Sequence, residues 1–358
     1  MCLGPRAGSL PIRLALIAPL ALLASSLACA KQAVGPERLP SPHHGRRAAT
    51  STTASLGMFP AEWGLPSRLV DTKRRVAVSL DEALTDLAQV RVVYVSESHE
   101  NPHHHAVQGA IVTQLWRRDR ALSIGMEMFQ APFQSSLDDY LSGRLDEEAL
   151  LEQSEYQERW GYDFTYYRSV MEFAKAHRIP VRALNARSEL TKKVARDGLG
   201  ALTGDELKEL PELDLGSRSH REMVREAFEG HEIEERKFEQ FYAAQVIWDE
   251  TMAAHVADAA TRLNSPRMVV FAGTGHVRHN LGIPRRAARR GAKPYRTVVP
   301  VMLGEGQPSL AEQLEDPAGD YLWVMSVDES KLPAVGVPLE GPEAEEHPAS
   351  LTQLTPGR

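Results

Sequence analysis

Along this chain, short apolar runs alternate with longer segments whose apolar residues recur every three or four positions. The runs at 90–95, 122–126, 179–184, 267–272, 297–303 and 321–327 read as strands buried on both faces. Between them, residues 102–118 carry Val107, Ile111, Leu115 and Trp116 at helical spacing, and 166–177 and 277–290 also read as helices. This alternation predicts an α/β fold, a mostly parallel sheet flanked by helices. No strand pattern interrupts 185–264, where 188–196, 204–210, 218–230 and 232–262 read as helices; parts of 130–160 do so as well. These stretches predict an inserted helical subdomain, in two insertions spanning 130–165 and 187–262, over one edge of the sheet.

The ends of the 358-residue chain break the pattern. Arg6 and Arg13 precede an apolar stretch at 14–24, and Ser26-Leu27-Ala28 places small residues before Cys29, so residues 1–28 read as a secretory signal. Cys29 at the cleavage point resembles the cysteine of a bacterial lipobox, with Ser26 where Leu is usual, and is the candidate lipidation site of an exported, envelope-anchored protein; plain secretion is the alternative. Residues 29–60 form a Pro-rich tether and 336–358 a tail without apolar period, expected to be disordered. That leaves 61–335 as one domain. No other stretch approaches the ~18 apolar residues of a membrane span.

Composition narrows the function classes. Apolar residues are 42% and charged residues 25%, which argues against wholesale disorder. A net charge of −7 gives no basic footprint for nucleic acid. Cys2 and Cys29 are the only cysteines, so the body of the chain must work with His, carboxylate, Tyr or Ser.

Polar signatures end four of the strands: Ser96-Glu97-Ser98-His99, Glu127-Met128-Phe129, Asn185-Ala186-Arg187 and Gly273-Thr274-Gly275-His276. In a parallel sheet these ends share one edge, where open α/β sheets bind ligands. Glu97, His99, Glu127 and His276 are therefore expected to converge as a catalytic cleft. Imidazole and carboxylate suit a divalent metal, with Glu97, His99 and His276 as ligands, or acid–base work without one. Asn101 and Pro102 read as N-cap and first residue of a helix, which leaves the facing of His105 open. Gln245, Asp249 and Met252 share one helix face that lines the cleft or faces solvent. Tyr156, Tyr162, Tyr166 and Tyr167 form an aromatic cluster that packs as core or docks a flat ligand; phenolate is a haem-iron ligand. Arg278 stands where a G-x-G-x-x-G fingerprint needs Gly, and there is no G-x-S-x-G elbow.

Taken together, these motifs resemble the ChaN family of haem-binding bacterial lipoproteins, within the Tiki/TraB/erythromycin-esterase-like superfamily. The first family motif resembles G-E-x-H-x-N-P-x-H-H, and Ser96 to His105 match it with Ser96 in place of Gly. Glu127-Met128-Phe129, Ala244-Gln245 through Trp248-Asp249 to Met252-Ala253, and Gly273 through His276 to Arg278 carry the others. The resemblance implies a lipid-anchored protein at the outer membrane, facing the periplasm and serving haem or iron uptake. It also implies haem as cofactor on a tyrosine, a homodimer around haem and an outer-membrane receptor as partner. Under it, His105, Asn185, Gln245, Asp249 and Arg278 join the four tyrosines as candidate cofactor contacts. The wider superfamily implies the alternative, a metal-dependent hydrolase or protease using the same Glu/His set.

Overall fold

The structure is a computed structural model that describes residues 60–228, 233–262 and 266–339. The expected signal, Cys29, nearly all of the tether and the tail beyond 339 lie outside the described residues. The chain runs β1 (Ser67–Asp71), β2 (Val76–Val78), α1 (Leu80–Leu87), β3 (Val92–Glu97), α2 (Pro102–Arg118) and β4 (Leu122–Gln130). It continues through α3 (Gln134–Leu141), α4 (Glu147–Gln153), α5 (Tyr156–Arg159), α6 (Thr165–His177) and β5 (Val181–Asn185). Then come α7 (Ser188–Asp197), α8 (Gly204–Lys208), α9 (Arg218–Glu226) and α10 (Glu235–Thr261). The last part is β6 (Arg267–Gly273), α11 (Thr274–Val277), α12 (Ile283–Arg289), β7 (Tyr295–Met302), α13 (Leu310–Glu315) and β8 (Tyr321–Met325).

The eight strands order as β2-β1-β8-β7-β3-β6-β4-β5. Six of them, from β8 to β5, are parallel, while β1 runs antiparallel to both β8 and β2. The mostly parallel α/β sheet expected from the apolar runs is therefore present. Its antiparallel edge and helix α1 were not foreseen, because Ser67–Asp71 and Val76–Val78 are too short to stand out as runs. Residues 336–339 also depart from the expectation of a disordered tail. They run beside β2, with Gly336 N–H on the Ala77 carbonyl at 2.8 Å and Leu339 N–H on that of Arg75 at 2.8 Å.

Strand alternation sorts side chains to the two faces of the sheet. Val93 and Val95 of β3 pack with Ile111 of α2 and Met171 of α6. Val92 and Tyr94 pack with Met252 and Val256 of α10 and Ile283 of α12. Glu97, in phase with Val93 and Val95, faces α2 and α6. Glu127 alternates with Met126 and Met128, which lie in the α2-side core, so its carboxylate turns toward α10.

Helix α2 starts as its sequence predicts. Asn101 caps it by accepting the His103 N–H at 3.0 Å, and Pro102 occupies the first turn, where no backbone donor is needed. The helix expected over 277–290 is instead broken. Residues His279 and Asn280 adopt left-handed φ of 54° and 63°, which separates α11 from α12. Among the described residues, no helix is long and apolar enough to cross a membrane.

Candidate functional site

Glu97 is fully buried at the end of β3, and three neutral or imidazole donors meet it. His99 Nδ1–H donates to Oε1 at 2.8 Å and Tyr167 O–H to the same oxygen at 2.7 Å. Gln108 Nε2 donates to Oε2 at 2.7 Å, with His105 Nδ1 3.6 Å from that oxygen. Burial alone would raise this carboxyl; His105 and the bonds from His99 and Tyr167 outweigh it and hold Glu97 at about 2. The bond to Nδ1 leaves His99 Nε2 pointing away from Glu97. The His99 ring is wedged between Trp160, 4.7 Å away at 77°, and Tyr162, 4.8 Å away at 42°.

A second pair forms on the other face. The ladder between β4 and β6 ends at Met126–Phe271, so the Gly273 N–H at the tip of β6 has no strand partner there. Glu127 Oε2 accepts it at 2.6 Å. Glu127 Oε1 lies 3.3 Å from His276 Nε2, and His276 Nδ1–H donates to Asp249 Oδ1 at 2.7 Å. Gln245 packs its amide 3.0 Å from the same Nδ1. Burial opposes a charge on His276, but Glu127 and Asp249 on its two sides outweigh that and push it up to about 10. Conversely, His276 keeps both carboxyls below their ordinary range despite burial, and Asp249 furthest.

The two pairs meet over Gly273. A Cβ at this position would sit 2.9 Å from His99 Cε1 and 3.6 Å from Glu127 Oε2, so only glycine lets the imidazole cross the sheet edge there. Exposure separates the groups: Glu97 and Asp249 show 0% of their side chains to solvent, against 11% for His99 and 13% for His276. Two imidazoles, each held at Nδ1 by a sealed carboxylate, thus present their other edge to one cleft, with Glu127 between them.

A model of the family described as haem-binding uptake, Tiki superfamily, ChaN matches residues 83–287, which include every side chain of this cleft. The chain belongs to this family. The solved structure described as "Cofacial heme binding to ChaN of Campylobacter jejuni" shares the fold, with TM-score 0.54 at 14% identity over 72% of this chain and 96% of that one. An erythromycin esterase mutant in its open conformation is more distant, at TM-score 0.40 and 13% identity over 63% and 73% of the two chains. Protein RETICULATA-RELATED 5, chloroplastic, of Arabidopsis thaliana is 25% identical over 259 residues, 66% of this chain and 34% of that protein. The chain thus spans about a third of that curated relative's length.

In this ChaN-family domain the four expected cleft residues come together, and Asp249 and Gln245 join them. Asp249 sits at 0% exposure against His276, so its helix face, left open between cleft and solvent, is turned inward at this residue. His105, whose facing the sequence left open, is buried with Nε2 3.0 Å from the His99 carbonyl. Asn185 instead accepts the Ala186 N–H at 2.8 Å and serves the turn after β5. Arg278 pairs with Glu226 at 3.3 Å on the surface side of the broken helix.

The metal triad of Glu97, His99 and His276 is not assembled as ligands. Both Glu97 oxygens are taken by Tyr167, His99 and Gln108, and His99 and His276 bind different carboxylates. Among the described residues, no three His, Cys, Asp or Glu side chains converge as around a cation. The four tyrosines divide. Tyr167 and Tyr156 are buried, and burial pushes both phenols up. Tyr162 and Tyr166 are half-buried, with Tyr166 stacked on His105 at 4.8 Å and beneath Trp63 at 5.8 Å.

Sequence reasoning missed Gln108, His220, Glu250 and Arg286. Gln108 lies three residues after His105 on the inward face of α2, so helical spacing could have found it. Glu250 follows Asp249 directly but pairs with Arg286, Arg289 and Arg290. His220 and Arg286 carry no sequence signal of their roles, since their helices read as charged and solvated.

Proposed function

We propose that this chain binds haem at the mouth of the cleft and serves in haem or iron uptake. The family match over residues 83–287 carries this reading. The residues at the mouth fit a flat apolar ligand with a phenol ligand for iron. Tyr162 and Tyr166, half-buried beside His99 and His105 and flanked by Trp160 and Trp63, are the accessible phenols. Burial, with Glu100 and Glu127 nearby, pushes Tyr162 up to about 12, so an iron ion would have to draw its proton off on binding. Tyr167 is unsuited, because its hydroxyl is committed to Glu97.

Hemin added to the protein is expected to give a saturable change in the visible spectrum. Tyr162→Phe or Tyr166→Phe should weaken binding by about tenfold or more, the equivalent of ~1.4 kcal/mol, while Tyr156→Phe leaves it unchanged. No saturable shift, or equal loss in all three variants, would sink the reading.

A second reading, hydrolysis, is favoured by the Glu97–His99 and Asp249–His276 pairs. A carboxylate that fixes Nδ1–H leaves Nε2 to move a proton, over Gly273 for His99 and toward Glu127 Oε1, 3.3 Å away, for His276. His276, pushed up to about 10, is charged at neutral pH and suits the acid's part; His99, which Glu97 and Glu127 also raise against burial, takes a proton from water only in its neutral form. A divalent metal is not required by this arrangement. Ester hydrolysis lost in His99→Ala, with no hemin shift in the parent protein, selects it.

For location, Cys29 after a secretory signal supports a lipid anchor holding this domain to the bacterial envelope. Cys29→Ser should move the protein from the membrane fraction to the soluble one. Unchanged fractionation would refute the anchor.

A further inference from the structure

Behind the Asp249–His276 pair lie two buried polar groups, His220 and Arg286, that neither reading of the cleft uses. Asp249 holds His276 through Oδ1, and its Oδ2 faces His220 Nε2 at 3.0 Å. That contact is bent from the ideal hydrogen-bond line, yet no other donor among the described residues reaches Oδ2. On the other side of the His220 ring, Arg286 places a guanidinium nitrogen 3.1 Å from Nδ1. Guanidinium only donates, so Nδ1 must present its lone pair and the ring hydrogen must sit on Nε2, toward Asp249. His220, Asp249 and Arg286 show 0%, 0% and 2% of their surface to solvent. A polar chain buried this completely is costly unless every member is satisfied.

We propose that His220 is the positioning residue of this cleft: kept in its Nε2–H form by Arg286, it fixes Asp249, which in turn holds the His276 ring with Nε2 toward the cleft. Each link is anchored outside itself. Arg286 also binds Glu250 Oε1 at 3.1 Å and the Leu281 and Gly282 carbonyls. The His220 ring packs on Tyr242 at 5.5 Å, and Tyr242 O–H donates to the Ser217 carbonyl at 3.2 Å, one residue before α9. Without His220, one Asp249 oxygen would be a buried anion with no donor, free to rotate away from His276. Since α9 and α10 belong to the helical insertion, that insertion supplies the second and third members of the His276–Asp249–His220 chain. The inference rests on the cleft geometry alone and stands whether or not hemin binds.

The test compares the parent chain with His220→Gln and His220→Phe by proton–nitrogen NMR of the imidazoles. Glutamine can accept from Arg286 and donate to Asp249; phenylalanine keeps the packing on Tyr242 but does neither. The parent and His220→Gln should both show a slowly exchanging proton on His276 Nδ1. In His220→Phe this proton should exchange at least tenfold faster while the protein still melts cooperatively, because Arg286 retains Glu250 and two carbonyls. A purely structural His220 would not produce that split. Persistence of the proton in His220→Phe, or its loss in His220→Gln, overturns the proposal. Should His220→Phe fail to melt cooperatively, the parent spectrum decides: a proton on His220 Nε2 alone upholds the proposal, and one on Nδ1 overturns it.

Discussion

Glu250→Ala is expected to cost about 3–5 kcal/mol of stability, the range for removing one partner of a buried ion pair. Glu250 is at 0% exposure on α10. Its Oε1 meets Arg286 Nε at 3.1 Å, Arg289 at 2.9 Å and the Asp214 N–H at 3.1 Å, while Oε2 meets Arg290 at 2.5 Å. The three arginines do not weigh equally. Arg289 and Arg290 show 41% and 20% of their side chains to solvent, so water compensates their loss. Arg286 shows 2% and would be left with two carbonyls and an imidazole but no anion. An exposed pair such as Arg262–Asp258 sets the contrast, since surface ion pairs contribute about 0–1 kcal/mol. Urea denaturation of Glu250→Ala beside Asp258→Ala measures both. A loss below about 1 kcal/mol for Glu250→Ala would show that the Arg286 charge is compensated in some other way.

The second large effect is on pH dependence, and it runs in opposite directions on the two sides of neutrality. His276 is raised from 6.5 to about 10 in the folded protein. Its charge therefore contributes stability fully below pH 6.5, and that contribution is lost as pH rises through 10. Glu97, lowered to about 2, acts the other way, as do Glu127 and Asp249, both also lowered. They stabilise above their ordinary values near 4 and lose that effect as pH falls through their folded values. The cluster is thus expected to favour the folded state most between about pH 5 and 6.5. Melting temperatures measured from pH 5 to 10 should decline steadily above 6.5. His276→Gln should flatten that decline and, in melts extended below pH 5, should shrink the acid limb toward the Glu97 share, since His276 is what chiefly lowers Glu127 and Asp249. A parent protein with a level melting temperature from 6.5 to 10 would mean that His276 is not held charged.

Much of this architecture could be read from the chain because its signals are local. Continuous apolar runs mark β3, β4, β6, β7 and β8, and the Asn101-Pro102 pair marks the start of α2 within one residue. Glu97, His99, Glu127 and His276 were found by one topological argument, that parallel strands end on one edge. What escaped lacks local signal. The β1–β2 edge is built of five-residue and three-residue strands that no period distinguishes. His279 and Asn280 break a helix whose composition is helical, and the turn brings Gly282 so close to the His276 carbonyl that a Cβ there would stand 2.2 Å from it. The tyrosines could be grouped by sequence, but only burial separates Tyr156 and Tyr167 from Tyr162 and Tyr166. His220 and Arg286 sit on helices with strongly charged composition, and only tertiary contact turns those two inward.

The strand order has a consequence for how the cleft comes into being. Strands β3 and β4 follow one another in the chain but are not neighbours in the sheet; β6 lies between them. A growing chain therefore carries Glu97, His99 and Glu127 long before it carries the strand that brings them together. Closing so long a loop costs entropy before any contact offsets it, which is the signature of slow folding topologies. Until β6 has slid into its gap, with α10 already made just ahead of it, the chain has every part of a cleft and no cleft.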